Sequence, residues 1–272
     1  MVFPVVEEEP ASRPGPEFQA VIRHNAFEHE LCQEFDLQLL KPGTLPILSD
    51  LELIAERLPV EGGRLLELGC GRAETTRRIA EELPVREVIA TEVDRVQHEK
   101  NLRITNLPKV TFRLGGVEAI EQPDGSIDAV IMLKSLHHVP RHLLAQGLRE
   151  IHRVLRPDGM AYFSEPLYAG EFNEILRLFH DEKAVRENAF EALSAAVDEG
   201  LFLLEEEIFF DSISRFQGFA EFEERILGAT HTEFVIDEML YARIRDRFMR
   251  HVGPDGVAEF RNPNRADLLR KP

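Results

Sequence analysis

The chain of 272 residues is short of cysteine, of long apolar runs and of positive charge, and each shortage excludes something. Cys32 and Cys70 are too few for a disulfide framework or a multi-cysteine zinc site, so no metal centre is expected. No apolar stretch approaches the roughly 18 residues of a membrane span. The opening MVFPVVEEEP lacks the basic start and apolar run of a secretory signal. A reduced, soluble, cytoplasmic protein is expected. Lys and Arg number 32 against 49 Asp and Glu, a net charge of −17. The surplus sits in the flanks: residues 1–60 carry −7, residues 61–166 carry −1 and residues 167–272 carry −9. Acidic flanks repel phosphate backbones, which disfavours nucleic acid as a substrate.

Hydrophobic residues, at 43%, are numerous enough for a real core. Residues 1–16, with four prolines and a Glu7-Glu8-Glu9 run, predict a mobile tail. Residues 17–60 predict a helical cap: Phe18, Val21, Ile22, Phe27, Leu31 and Phe35 follow helical spacing, and a second helix spans about 47–58. From residue 64 short apolar runs appear at 64–68, 87–91, 110–114, 127–133 and 160–165. They are mostly continuous rather than alternating, as strands buried on both faces must be. Helix candidates at 73–83, 94–104 and 141–155 separate them, the last stopping at Arg156-Pro157-Asp158-Gly159, which predicts a type I turn. Strand–helix–strand units with short connections imply an α/β, doubly wound parallel sheet. Beyond 166 the pattern predicts a helix at 171–197, a strand at 202–210, helix over 216–251 and a last strand at 266–270, an elaboration without its own core.

The chemistry concentrates in Leu65-Leu66-Glu67-Leu68-Gly69-Cys70-Gly71-Arg72-Ala73-Glu74, an apolar strand running into a glycine turn and a helix. Gly69 and Gly71 allow dihedrals and close ligand approach that a side chain would block. About 20 residues on, Glu92 and Asp94 stand where a ribose diol would be gripped. A dinucleotide site wants a third small residue where Glu74 stands, and it has no need of Glu67. A carboxylate just before the turn suits a ligand with an ammonium group and no phosphate. S-adenosylmethionine is favoured over NAD on that ground.

Residues 65–165 resemble a class I S-adenosylmethionine-dependent methyltransferase of the small-molecule branch, which includes the ubiquinone/menaquinone-biosynthesis enzymes. LLELGCGRAETT is similar to the family's first motif, and VIATEVD to its acidic loop. DGSIDAVIMLKSLHHV resembles the fourth-strand motif, and LREIHRVLRPDGMAYFSEP the helix and fifth strand that follow. The resemblance implies a Rossmann-like seven-stranded sheet with an antiparallel last strand, residues 61–166 as the S-adenosylmethionine-binding core, and residues 167–272 as the remaining strands with a helical lid over a small-molecule acceptor. It implies that Glu67, Gly69, Cys70 and Gly71 surround the methionine portion and that Glu92, or Asp94, takes the ribose. Gly116 and Val117 would lie beside adenine, and Leu133 would line the pocket through its backbone. Two departures stand out. Ala73 replaces the third glycine, which requires a negative φ there, and Gly116 replaces an acid whose place Glu118 or backbone groups would take.

His137 and His138, at the end of the fourth strand, are candidate bases for an acceptor that must lose a proton. Lys134, Glu165 and Tyr168 lie nearby in the chain. Asp94 suits a helix N-cap and Cys70 a packing role. Arg243, Arg247 and Arg250 share a helical face that reads as solvated, and Phe209, Phe210, Phe216, Phe219 and Phe222 read equally as the lining of an acceptor pocket or lid and as core. Two other functions compete with methyl transfer: an NAD-dependent oxidoreductase, and a methyltransferase-like binding subunit without turnover.

Overall fold

The computed structural model describes residues 37–39, 43–228 and 234–272. The tail expected over 1–16 and the first helix of the expected cap lie outside the described residues. Five strands fall where the apolar runs stand: β1 (Arg64–Leu68), β2 (Glu87–Glu92), β3 (Val110–Leu114), β4 (Ile127–Leu133) and β5 (Leu155–Pro166). They alternate with α2 (Glu74–Glu82), α3 (Arg95–Asn101) and α4 (Arg141–Val154), after a leading α1 (Asp50–Arg57). Ser49 starts α1 through a capping box with Glu52, which is why the helix begins three residues later than periodicity alone suggests.

One seven-stranded sheet results, in the order β3-β2-β1-β4-β5-β7-β6. The final strand, β7 (Ala258–Arg270), runs antiparallel between β5 and β6 (Leu203–Phe216). Both faces are covered, as continuous apolar strands require. Leu65, Val88, Ile131, Tyr162 and Phe210 pack with Ile54 and Ile79 on one side. On the other, Leu66, Ile89, Val130 and Phe163 pack with Leu144, Ile151, Leu193 and Phe202. The chain reversal between β1 and β4 puts their carboxyl ends side by side, where an open sheet of this kind binds ligands.

Three expectations need correction. The stretch 156–159 is an outward loop at the start of β5, and Asp158 has φ +59°, which the third position of a type I turn lacks. The expected helix over 171–197 is two, α5 (Glu171–Leu176) and α6 (Lys183–Asp198). Asp181 accepts the Lys183 amide, and this local side-chain bond restarts the helix. The C-terminal part also has an apolar cluster of its own. Phe216, Phe222, Phe248 and Phe260 pack with Ile175 and Ile244 among α5, the outer ends of β6 and β7, α7 (Phe219–Phe222) and α8 (Glu238–Met249). These rings are core, whereas Phe210 belongs to the sheet. Both strands run longer than expected because each extends to carry this cluster. None of the described helices is long and apolar enough to cross a membrane.

Gly147 links the core to the cleft. It lies inside α4, and a Cβ there would fall 2.8 Å from a Val117 methyl. Helix propensity favours alanine by about 1 kcal/mol, but overpacking costs about 1–3 kcal/mol. Gly147→Ala is therefore expected to lower unfolding stability by about 1 kcal/mol in denaturant titrations; a gain would show that the Val117 segment yields without cost.

Candidate functional site

The carboxyl ends of β1, β2 and β4 converge on the glycine turn. Glu67, the fourth residue of β1, is only 2% exposed, and its Oε2 accepts the Thr76 hydroxyl of α2 at 2.5 Å. Burial pushes its carboxyl pKa up, the Thr76 bond opposes this, and the Glu92 charge adds to it, giving about 7. A half-protonated acid at neutral pH is thus held at the mouth of the turn without a cationic partner among the described residues.

Three contacts set the turn. Gly69 has φ +77°, and a Cβ on it would collide with the Ser135 Cβ at 2.8 Å, so the β4 loop lies against bare backbone. Ser135 Oγ donates to the Leu68 carbonyl and secures this approach. The Gly71 amide, at φ +52°, donates to Glu92 Oε2 at 2.8 Å, and no atom would meet a Cβ there within 4 Å. The space above Gly71 is open, while its backbone is tied from below. Asn101 supplies that tie: its Nδ2 donates to the Gly71 carbonyl at 2.8 Å, and it is 1% exposed. Sequence reasoning missed Asn101 and Thr76, because a polar residue on a helix carries no signal until the fold shows which way it faces.

Glu92 is built as a strut. Beyond Gly71, its Oε1 accepts the Val93 and Asp94 amides. Asp94 is the N-cap of α3, its side chain accepting the Val96 amide, the capping role expected of it. Cys70 is buried, and burial together with the Glu67 and Glu92 charges raises its thiol pKa far beyond the nucleophilic range. The packing role holds. Ala73 does not keep the negative φ expected of it. It sits at φ 60°, ψ 28°, a left-handed conformation that costs an alanine about 1–2 kcal/mol. Val117 is buried, and a Cβ on Gly116 would fall 2.1 Å from a Glu118 carboxylate oxygen. Glu118 therefore folds back over Gly116, where the absent acid would have stood.

Beyond Leu133, which is half-buried, the β4 loop serves two purposes. Lys134 has φ +54° and pairs with Asp50 at 2.9 Å, so it belongs to α1 rather than to an open acceptor cleft. His137 is 4% exposed; Nδ1 is bonded to Glu165, and Nε2 faces Glu182 at 3.6 Å. Burial lowers its pKa, but Glu165 and Glu182 outweigh that and bring it to about 9. Both ring nitrogens thus face carboxylates, Nδ1 toward Glu165 and Nε2 toward Glu182. His138 is exposed, with its ring 4.1 Å from that of His137. Tyr168 lines a cavity of about 110 Å³ with Glu165, Lys183 and Arg186. Arg247 pairs with Glu174 at 3.2 Å, in keeping with a solvated arginine face.

Comparisons with known proteins bear on the same segment. Residues 65–159 match the family model described as a methyltransferase domain. An uncharacterized methyltransferase of Mycobacterium bovis is 33% identical over 108 residues, 40% of this chain and 42% of that one. The 27-O-demethylrifamycin SV methyltransferase of Amycolatopsis mediterranei is 32% identical over 114 residues, 39% of this chain and 40% of that one. The ubiquinone/menaquinone biosynthesis C-methyltransferase of Geotalea uraniireducens is 29% identical over 110 residues, 39% of this chain and 46% of that one. The chain thus spans about two fifths of the length of the curated relatives it matches. Among solved structures, the YcgJ protein of a Bacillus superposes with a TM-score of 0.58 at 19% identity, over 81% of this chain and 97% of its own. The [4+2]-cyclase SpnF superposes at 0.52 and 22% identity, over 82% and 79%. These two show the fold alone. The matched segment is a methyltransferase domain and lends the NAD-dependent oxidoreductase reading no support. Glycine turn, acidic strut and matched segment coincide over 65–159, and this part of the chain is similar to a methyltransferase domain.

Proposed function

We propose that this protein binds S-adenosylmethionine at the β1–α2 turn and transfers its methyl group to a small-molecule acceptor by in-line displacement. The observation that carries the reading is the buried, cation-free Glu67 carboxyl beside the open space above Gly71. An ammonium group seated there converts a costly buried acid into a paired one. When bound, the cofactor supplies an electrophilic methyl carbon and departs as a neutral thioether. Everything else falls to the chain's own residues.

Glu67 holds the ammonium group, and the Gly69 and Gly71 backbone leaves room for the methionine portion. A carboxylate has about four lone-pair sites, and three backbone amides use three of those on Glu92, leaving one on Oε2 for a ribose hydroxyl. Val117 and the folded-back Glu118 flank the adenine position. The backbone of Leu133 closes the near wall. The acceptor enters over the ends of β4 and β5, beneath a lid formed by α5, α6 and the Phe-rich cluster. Alignment with water excluded contributes up to roughly 7–11 kcal/mol in such displacements, and a base is needed only where the acceptor must lose a proton. The C-methyltransferase and rifamycin-modifying relatives support an organic small-molecule acceptor. A second reading, a binding subunit without turnover, is favoured by the left-handed Ala73.

Calorimetric titration with S-adenosylmethionine tests the binding, and S-adenosylhomocysteine release with a panel of phenolic, amine and carbon acceptors tests the turnover. Saturable binding with release for at least one acceptor is expected. No binding overturns the proposal, and binding without release for any acceptor favours the subunit.

Glu67 sets the pH dependence. Its folded pKa of about 7 exceeds the unfolded 4.5, so its contribution to stability is present below 4.5 and is lost as pH rises through about 7. Cofactor affinity has the opposite sign, because the ammonium selects the ionised form. Affinity is expected to fall by about tenfold per pH unit below 7. Glu67→Gln should flatten that profile and weaken binding throughout; a retained pH slope in the variant would assign the titration to another group. Gly71→Val should abolish binding, since a β-branched residue resists φ +52° and fills the open space.

Ala73→Gly should raise stability by about 0.5–1 kcal/mol, the left-handed cost less the glycine entropy. Thermal denaturation checks it. An unchanged or lower melting temperature would mean that the turn bears no strain.

A further inference from the structure

His137, His138 and Glu182 form a cluster that neither cofactor binding nor methyl transfer uses. Each offers one ligand atom, and these atoms lie within 4.8 Å of one another. The two histidines occupy the short helical turn Leu136–His138 after β4, and Glu182 is the residue before α6. Together with His180 and Asn188 they line an open cavity of about 250 Å³.

Each inner member is already aimed by a partner behind it. Glu165 engages Nδ1 of His137, which turns Nε2 toward Glu182 Oε1 at 3.6 Å. A carboxylate behind the far nitrogen is how metal-bound imidazoles are commonly oriented. Arg186 holds Glu182 Oε2 at 2.6 Å, leaving Oε1 toward the histidines, and His180 Nε2 lies 3.0 Å from that same oxygen. Two imidazole nitrogens and one carboxylate oxygen suit a borderline transition ion; Mg²⁺ and Ca²⁺ prefer sets made wholly of oxygen. At metal–ligand distances of about 2.0–2.2 Å, ligand atoms of a tetrahedral site stand roughly 3.3 Å apart, close to the His137–Glu182 separation. Three protein ligands leave a fourth position facing the cavity.

The geometry points to a site for one divalent transition-metal ion of the zinc class, held by His137, His138 and Glu182, with Glu165 and Arg186 as positioning residues. A bound ion pins the start of α6 to the β4 loop. This revises the expectation of no metal centre, which rested on the scarcity of cysteine.

The test uses the full chain without a histidine tag, stripped by a chelator and titrated with Co²⁺. One equivalent is expected to develop the visible d–d absorption of a low-coordinate cobalt site. Zn²⁺ should displace it and should raise the melting temperature. His138→Ala, at an exposed position, should weaken Co²⁺ binding by at least about tenfold with an unchanged far-UV spectrum. Glu182→Gln should do the same. The proposal is overturned if the wild-type chain gives no saturable band, or if His138→Ala binds Co²⁺ as tightly as wild type. Both readouts are independent of cofactor binding, so the site and the methyltransferase reading stand or fall separately.

Discussion

A carboxyl group buried at the end of β1 sets the terms for the rest of the cleft. Glu67 is among the least exposed acids in the described structure, and its described hydrogen-bond partner is a threonine hydroxyl, a weak compensation for losing water. Apolar packing could not tolerate a fully charged group there without a cation, so the folded chain raises its pKa instead. The position is poor for stability and well suited to recognition, a combination expected where binding rather than folding selects the residue.

The turn that borders it is over-determined. Ser135 presses on Gly69 from β4, Glu92 grips the Gly71 amide from β2, and Asn101 grips the Gly71 carbonyl from α3. Three elements far apart in sequence thus fix the turn from Gly69 to Gly71, and a left-handed alanine stands two residues further on. Strain of about 1 kcal/mol at such a residue persists only where neighbours leave no alternative. The rigidity has a use: the backbone surface offered to a ligand is set before the ligand arrives, which lowers the ordering cost of binding.

The sheet was legible because parallel strands buried on both faces leave long apolar runs that no other element imitates; four of the first five strands match to within a residue at both ends. The glycine turn was legible for a related reason, since local chemistry alone distinguishes Glu67, Gly69 and Gly71. What stayed hidden depends on tertiary contact. The break between α5 and α6 interrupts a continuous helical pattern, and the roles of Asn101, Glu182 and Arg186 arise only when remote segments meet. Ala73 shows the converse: the residue type argued for a negative φ, and the network around the turn overrode it. For the Phe-rich cluster the pattern left packing and pocket lining equal and predicted no core of its own, because spacing says that side chains are buried and not which partners bury them.

The region beyond β5 is held differently from the sheet. The start of α6 is joined to the β4 loop and to β5 by a chain of charges, Glu165–His137–Glu182–Arg186, and Arg186 continues it to the Leu167 carbonyl and Asn173. Farther along, α6 returns to apolar packing through Ala189 and Leu193. A helix anchored by its apolar middle and tied by polar contacts at its leading end can alter that end without disturbing the core. Charge pairs respond to ions and ligands, whereas packed rings do not. The glycine turn is therefore tightly fixed and the start of α6 adjustable, and a ligand or an ion near the two histidines would exert its influence at the β4 loop.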